Sequence, residues 1–286
     1  MGTASIRTMK AVIIHEYGGP EVLRYEDVPV PEIGPDEVPI KVHACGVNPI
    51  DWKVRQGRKK DQTHYEMPLI LGWDVSGTVE ETGPLVKYFR KGDRVIARPA
   101  TTRNRGYAEF VAVRSMEVTL APSTISLEQA AGVPLASQTA WVGLFEIGGL
   151  RPGQSVLIHG GSGGVGSFAV QLAKLAGARV FATTSTKNVE LVSSLGADEV
   201  IDYTLGDFRH AVSEMDMVYD TVGGETQARS WEVIRKGGQL ISTLGVEESA
   251  AAAHAIIGKS YLLVERRAST GDKRADRCGG YQGHYR

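Results

Sequence analysis

Apolar and polar positions change their rhythm once along this chain of 286 residues. Up to Pro122 the apolar runs are short and are broken by glycine and proline. Residues 9–15 form one such run, which stops at Tyr17-Gly18-Gly19-Pro20. Residues 38–44 alternate, with Val38, Ile40, Val42 and Ala44 on one face, the period of a half-buried strand. Residues 75–79 alternate again, and residues 94–97 and 107–113 add two more short strands. Short strands punctuated by turn residues predict a small barrel or sandwich.

Beyond Pro122 the pattern becomes strand–helix alternation. Ser126 reads as a helix N-cap with Gln129 three residues on, and residues 139–147 read as a helix closed by Gly148-Gly149. Strands are then predicted at 155–159, 179–183, 199–203, 217–220, 239–243 and 261–264. Helices are predicted at 164–176, 188–195, 208–214, 225–234 and 250–256. Repeated βα units imply a parallel, doubly wound sheet. The expected fold is α/β, with residues 1–122 as a first domain, 123–264 as a second, and 265–286 as a tail.

The first strand of the alternating part runs into Gly160-Gly161-Ser162-Gly163-Gly164-Val165-Gly166. Gly161, Gly163 and Gly166 fit G-x-G-x-x-G, and the loop follows a strand and opens a helix, the context that makes this motif informative. Gly161 is expected to allow the tight turn, Gly163 to let a diphosphate approach the backbone, and Gly166 to let the helix pack on the strand. The helix N-terminus then faces the anion. An NAD site usually carries an acid about 20 residues past this loop. Here the second strand ends Thr183-Thr184-Ser185-Thr186-Lys187, with no acid before Glu190. Hydroxyls and a lysine suit a 2′-phosphate, so the expected cofactor is NADPH, with Thr184, Ser185 and Lys187 at its adenosine end.

Composition narrows the classes. The chain has 34 glycines and no Gly-X-Y period, so the surplus belongs to turns and close contacts. A net charge of -1 gives no basic footprint for nucleic acid or an anionic membrane. No apolar run approaches the roughly 18 residues of a membrane span, and the N-terminal residues lack the apolar core of a secretory signal. Two cysteines, Cys45 and Cys278, exclude a disulfide scaffold and suit a reducing compartment, so a cytoplasmic location is expected.

A barrel joined to this cofactor domain raises the possibility of catalytic zinc, which needs about three Cys, His or carboxylate ligands. Where zinc-dependent alcohol dehydrogenases offer a cysteine, this chain has Asn48; where they offer Gly-His-Glu, it has Gly72-Trp73-Asp74. Two cysteines cannot build a four-cysteine structural lobe. His43 and Cys45, two apart on a strand, are expected to share a face, and with His64 they leave a metal site conceivable but a structural role favoured. No metal is expected. Short-chain reductases are excluded by the position of the glycine loop and the absence of Tyr-x-x-x-Lys.

The chain resembles the medium-chain dehydrogenase/reductase superfamily and, within it, the zinc-free quinone oxidoreductase or zeta-crystallin-like group. The residues that carry this are His15-Glu16-Tyr17-Gly18-Gly19-Pro20, Gly46-Val47-Asn48-Pro49-Ile50-Asp51-Trp52-Lys53, Gly92-Asp93-Arg94-Val95, Gly106-Tyr107-Ala108-Glu109, Gln138-Thr139-Ala140-Trp141, the glycine loop, and Leu195-Gly196-Ala197-Asp198. The resemblance implies a GroES-like barrel, a Rossmann domain, an active site in the cleft between them, and homodimers joined through the sheet edge at 261–264.

It also implies reduction of a quinone or an α,β-unsaturated carbonyl. A conjugated carbonyl can accept hydride without a metal, given orientation and donors at the developing oxyanion. Asn48 and Asp51 are implied beside the nicotinamide, with Lys53 supplying charge. Asn48 also suits a turn, Asp51 a structural bond, and Lys53 a solvated surface. Trp52 and Trp73 suit a substrate pocket or core. Thr139 is implied at the nicotinamide and Tyr203 at the adenosine phosphate. Val222, Leu244 and Gly245 are implied at the ribose and nicotinamide, and Ser162, Gly164 and Val165 within the loop. A cofactor-binding protein with little turnover is the alternative. Residues 265–286 are basic, glycine-rich and without aliphatic periodicity, and read as disordered. They depart from the family's usual ending, so a frame change or truncation after about residue 264 is the expectation.

Overall fold

The computed structural model describes residues 7–61, 63–99 and 105–260. The first part is antiparallel. Strand β1 (Thr8–Ile14) pairs with β2 (Arg24–Pro29), and β3 (Glu37–Gly46) runs on to helix α1 (Pro49–Arg55). Then come β4 (Leu69–Ile70), β5 (Asp74–Val79), β6 (Arg94–Ala97), β7 (Phe110–Arg114) and β8 (Val118–Leu120). They form two sheets, ordered β2-β1-β4 and β7-β3-β5-β6-β8. Val38, Ile40, Val75, Val95, Val111 and Val113 from the larger sheet close into one apolar core. The alternation of β3 ends at a bulge between Val42 and Ala44. His43 is the extra residue there, so it does not share a face with Cys45 as expected. His43 is exposed, with Nε2 2.6 Å from Glu128 Oε1, whereas Cys45 is largely buried.

Helices α2 (Leu127–Ala130) and α3 (Pro134–Trp141) lead into the second part, and a π-helical turn continues α3 to Ile147. Ser126 Oγ accepts from the Gln129 amide, and Gln129 Oε1 accepts from the Ser126 amide, so the capping box forms. The remaining elements alternate: β9 (Ser155–His159), α4 (Gly164–Leu175), β10 (Arg179–Thr184), α5 (Val189–Ser194), β11 (Glu199–Asp202), β12 (Met215–Asp220), α6 (Gly224–Ser230), β13 (Ile234–Ser242), α7 (Glu248–Ala253) and β14 (Ile257–Ser260).

These six strands form one parallel sheet in the order β11-β10-β9-β12-β13-β14. Counted from β9 this is 3-2-1-4-5-6, the doubly wound Rossmann order, whose switch point lies between β9 and β12. Val156, Leu157 and Ile158 of β9 are fully buried, because helices or apolar segments cover both faces of the sheet.

Two expected elements differ. Residues 208–214 form only a short 3-10 turn, Phe208–His210. Asp207 accepts from the Arg209 amide, and Glu214 has a φ of 53°, so the chain turns out before a helix can grow. The helix expected at 250–256 is Glu248–Ala253, because Ala255 with a φ of 53° ends it early, and strand Ile257–Ser260 follows. Residues 261–264 and the tail 265–286 lie outside the described residues.

Candidate active site

The glycine loop leaves β9 at the switch point. Gly160 has a φ of 75°, so the left-handed turn falls on Gly160 and not on Gly161 as expected. Gly161 instead packs under the next strand: its amide donates to the Thr183 carbonyl at 2.9 Å, and a Cβ on it would lie 3.0 Å from Ala182 Cβ. A Cβ on Gly166 would sit 2.0 Å from the Gly160 carbonyl oxygen, so α4 reaches the loop only with glycine there. Gly164 faces open space. The Ser167 amide donates to the Gly163 carbonyl at 2.9 Å. The Gly164, Val165 and Gly166 amides precede that bond, and their residues line the cleft, as a cradle for a diphosphate requires. The loop therefore fits a dinucleotide.

The neighbouring loop is tied to it. Thr221 Oγ1 donates to the His159 carbonyl at 2.8 Å, and Asp220 Oδ1 accepts from the Val222 and Gly223 amides, both at 2.9 Å. Asp220 Oδ2 accepts from Gln227 and Ser242, so this fully buried carboxyl fixes the ends of β12 and β13 together. Val222 and Leu244 are half exposed there. Gly245 is exposed, and its carbonyl accepts from Gln227 Nε2 at 2.7 Å.

At the far end of the loop Thr184 is buried, and its hydroxyl donates to Ser162 Oγ at 2.9 Å. Asn188 Nδ2 donates to Ser162 Oγ at 3.1 Å and to Ser185 Oγ at 3.3 Å. Thr184 is thus an internal support for Ser162, not the open hydroxyl expected. Lys187 and Tyr203 are exposed. Asp202, the carboxylate at the end of β11, accepts from the Thr204 amide and hydroxyl.

Facing the loop across the cleft is the start of α1. Its first turn was not anticipated as helix, although Asn48 at the N-cap, Pro49 at N1 and Asp51 at N3 spell one. Asp51 was expected beside the nicotinamide. The structure buries it, with Oδ2 accepting from the Asn48 amide at 2.6 Å and Oδ1 from the Gly72 amide at 3.1 Å. It is a brace between α1 and the Gly72 turn, and burial pushes its carboxyl up to about 6. Asn48 does line the cleft, as does Lys53 one turn further on. Asn48 Nδ2 donates to Asp74 Oδ2 at 2.8 Å, and Asp74 Oδ1 accepts from the Leu135 amide at 2.6 Å. Burial pushes the Asp74 carboxyl up to about 7, against the two hydrogen bonds that favour its charge. Burial also raises the Cys45 thiol.

The cleft between barrel and sheet has a volume of about 460 Å3. It gathers Asn48, Lys53, Thr139, Gly163, Gly164, Val165 and Leu244 from the expected set, together with Trp73, Lys59 and Arg98. Thr139 Oγ1 donates to the Leu135 carbonyl at 2.7 Å. Trp73 is buried, with the Arg105 guanidinium 4.1 Å from its ring centroid. Among the described residues no group of three His, Cys, Asp or Glu side chains stands where it would hold a metal ion. Nor is any helix among them long and apolar enough to cross a membrane.

A barrel set against a Rossmann sheet, with a glycine loop facing the cleft between them, defines a dinucleotide-binding dehydrogenase/reductase architecture. Comparison with known proteins agrees. Residues 34–123 match the alcohol dehydrogenase GroES-like domain family, and residues 164–271 match the zinc-binding dehydrogenase family. The chain is 41% identical over 255 residues to the mitochondrial NAD(P)H oxidoreductase RTN4IP1 of Danio rerio, covering 82% of this chain and 66% of that protein. It is 40% identical over 248 residues to the chloroplastic NADPH-dependent alkenal/one oxidoreductase of Arabidopsis thaliana, covering 84% and 63%. The quinone oxidoreductase structure from Coxiella burnetii superposes with a TM-score of 0.79 at 33% identity, covering 90% of this chain and 83% of that one. The chain belongs to the medium-chain dehydrogenase/reductase superfamily, and it spans just under two thirds of the length of these two curated relatives.

Proposed function

We propose that the protein is an NADPH-dependent, metal-independent oxidoreductase that reduces quinones or α,β-unsaturated carbonyls. The observation that carries this is the Asn48 amide, held by Asp74 on one wall of a cleft whose opposite wall is the glycine loop. The relatives named as alkenal/one and quinone oxidoreductases support the same class. Bound NADPH would supply a hydride to the electrophilic carbon. Gly163, Gly164 and Val165 would hold its diphosphate on the N-terminus of α4. Ser162, Ser185, Lys187 and Tyr203 would surround the 2′-phosphate, and Thr139, Val222, Leu244 and Gly245 the ribose and nicotinamide.

One Nδ2 hydrogen of Asn48 goes to Asp74, which leaves the second for a substrate oxygen. Lys53 adds positive charge where the oxyanion develops. By the family resemblance Asn48 and Trp73 would stand where zinc enzymes carry ligands, and neither side chain suits zinc. The division at residue 122 goes with this reading, since β8 ends at Leu120 and α2 begins at Leu127. So does a homodimer through β14, whose single strand partner among the described residues is β13. The test is NADPH oxidation with a quinone and with an enone. Tight NADPH binding without consumption of either would favour the binding role instead.

A further inference from the structure

One side chain of α6 joins the loops that follow β12 and β13. Gln227 Nε2 donates to Asp220 Oδ2 at 2.7 Å and to the Gly245 carbonyl at 2.7 Å. An amide nitrogen carries two hydrogens, so these bonds use both. The other oxygen of Asp220 accepts from the Val222 and Gly223 amides. Ser242 Oγ donates to Asp220 Oδ2 at 3.0 Å and accepts from the Leu244 amide at 3.1 Å. Gln227 is not among the described residues that line the cleft, but Thr221, Thr243 and Leu244 of the two joined loops do line it.

The placement of α6 rests on other contacts. His159 Nε2 donates to Ser230 Oγ at 2.9 Å, the Ser230 hydroxyl donates to the Thr226 carbonyl at 2.6 Å, and Trp231 is buried in an apolar core. The adenosine end of the site has its own bonds, those of Thr184 and Asn188 to Ser162. Loss of the Gln227 amide therefore frees two loops and leaves the helix and the far end of the site in place.

We propose that Gln227 is a positioning residue for hydride transfer, whose amide sets the spacing of the two loops around the nicotinamide half of NADPH. This rests on the reductase reading above and deepens it. Hydride passes only between atoms held close and aligned, so loops that drift slow turnover more than they weaken binding. The role needs a neutral group with two donor hydrogens. Methionine keeps the length and supplies none. An ionised glutamate supplies none and sets a second carboxylate against the buried Asp220.

The test uses the full chain as wild type, Gln227→Met and Gln227→Glu. It measures kcat with an enone and the dissociation constants of NADPH and of 2′,5′-ADP, which lacks the nicotinamide. Gln227→Met should bind 2′,5′-ADP within about twofold of the wild type, bind NADPH about threefold more weakly and turn over about tenfold more slowly. Gln227→Glu should be no faster. A Gln227→Met variant with wild-type kcat would overturn the inference and leave the reductase reading standing. So would equal losses of affinity for NADPH and 2′,5′-ADP with a lowered thermal midpoint, which would make the bridge a support of the whole domain. Wild-type protein that oxidises NADPH with neither an enone nor a quinone would overturn the reductase reading and this inference with it.

Discussion

Asp74 holds Asn48 by a 2.8 Å hydrogen bond from the asparagine Nδ2, and its other oxygen accepts from the Leu135 amide at 2.6 Å. One carboxylate thus fixes the donor on the barrel wall and the first turn of α3, the helix that carries Thr139. Asp74→Ala should lower kcat for an enone by about tenfold, the scale of one lost oriented donor. Steady-state rates read this, and kcat should fall further than the KM for NADPH rises.

The same pair predicts a pH dependence. Burial raises Asp74 to about 7 and Asp51 to about 6, with the Asp51 charge raising Asp74 further and Arg98 opposing it. Both values exceed the roughly 4 of an unfolded chain, so between about pH 4 and 7 the folded chain binds more protons than the unfolded one. Stability should fall as pH rises through that interval, and the cost is fully present above about pH 7. Asp74→Asn removes its share, so its urea midpoint should change less between about pH 5 and pH 8 than the wild type's. Enone reduction should rise with pH through a value near 7, as the ionised carboxylate comes to accept both bonds. That limb should vanish in Asp74→Asn.

Two glycines separate folding from cofactor binding. Gly166→Ala places a methyl 2.0 Å from the Gly160 carbonyl oxygen, backbone that cannot rotate away. It should destabilise the chain by about 1–3 kcal/mol and weaken NADPH binding as well. Gly164→Ala meets nothing within 4 Å. Its thermal midpoint should match the wild type, while NADPH affinity drops, since the added methyl occupies the space in front of the helix. Calorimetry with and without NADPH measures both.

Cofactor choice should rest on Lys187. It is exposed beside Ser185, while Asp202 is engaged with Thr204. Lys187→Glu should lower the preference for NADPH over NADH by about tenfold or more, the scale of one charge-assisted hydrogen bond. Dissociation constants for the two cofactors check it. A wild type that binds both equally would remove the 2′-phosphate argument.

The parallel sheet was legible because its central strands are buried on both faces and read as apolar runs, as in Val156, Leu157 and Ile158. The loop at residues 160–166 was legible because close backbone approach leaves only glycine possible, as at Gly166. The first turn of α1 was in the sequence as an N-cap, a proline and an acid, a pattern of local bonds. Asp74 was not legible as the partner of Asn48 and Leu135, because its hydrogen bond to Leu135 spans 61 residues and no local spacing encodes it. The inward turn of Asp51 depends likewise on Gly72, 21 residues away. Lys53 and Lys59 line the same cleft as Arg98 from a distant stretch of the chain, a meeting that no local spacing encodes.

The central claim is that Asn48, held by Asp74 opposite the glycine loop, orients a conjugated carbonyl for reduction by NADPH. The direct measurement is the initial rate of NADPH oxidation with an enone and with a quinone, for the wild type and Asn48→Ala. The account predicts turnover of at least one by the wild type and a fall of about tenfold or more in kcat for Asn48→Ala, with NADPH affinity little changed. Wild-type protein that binds NADPH tightly yet reduces neither, or an Asn48→Ala variant as fast as the wild type, would contradict it.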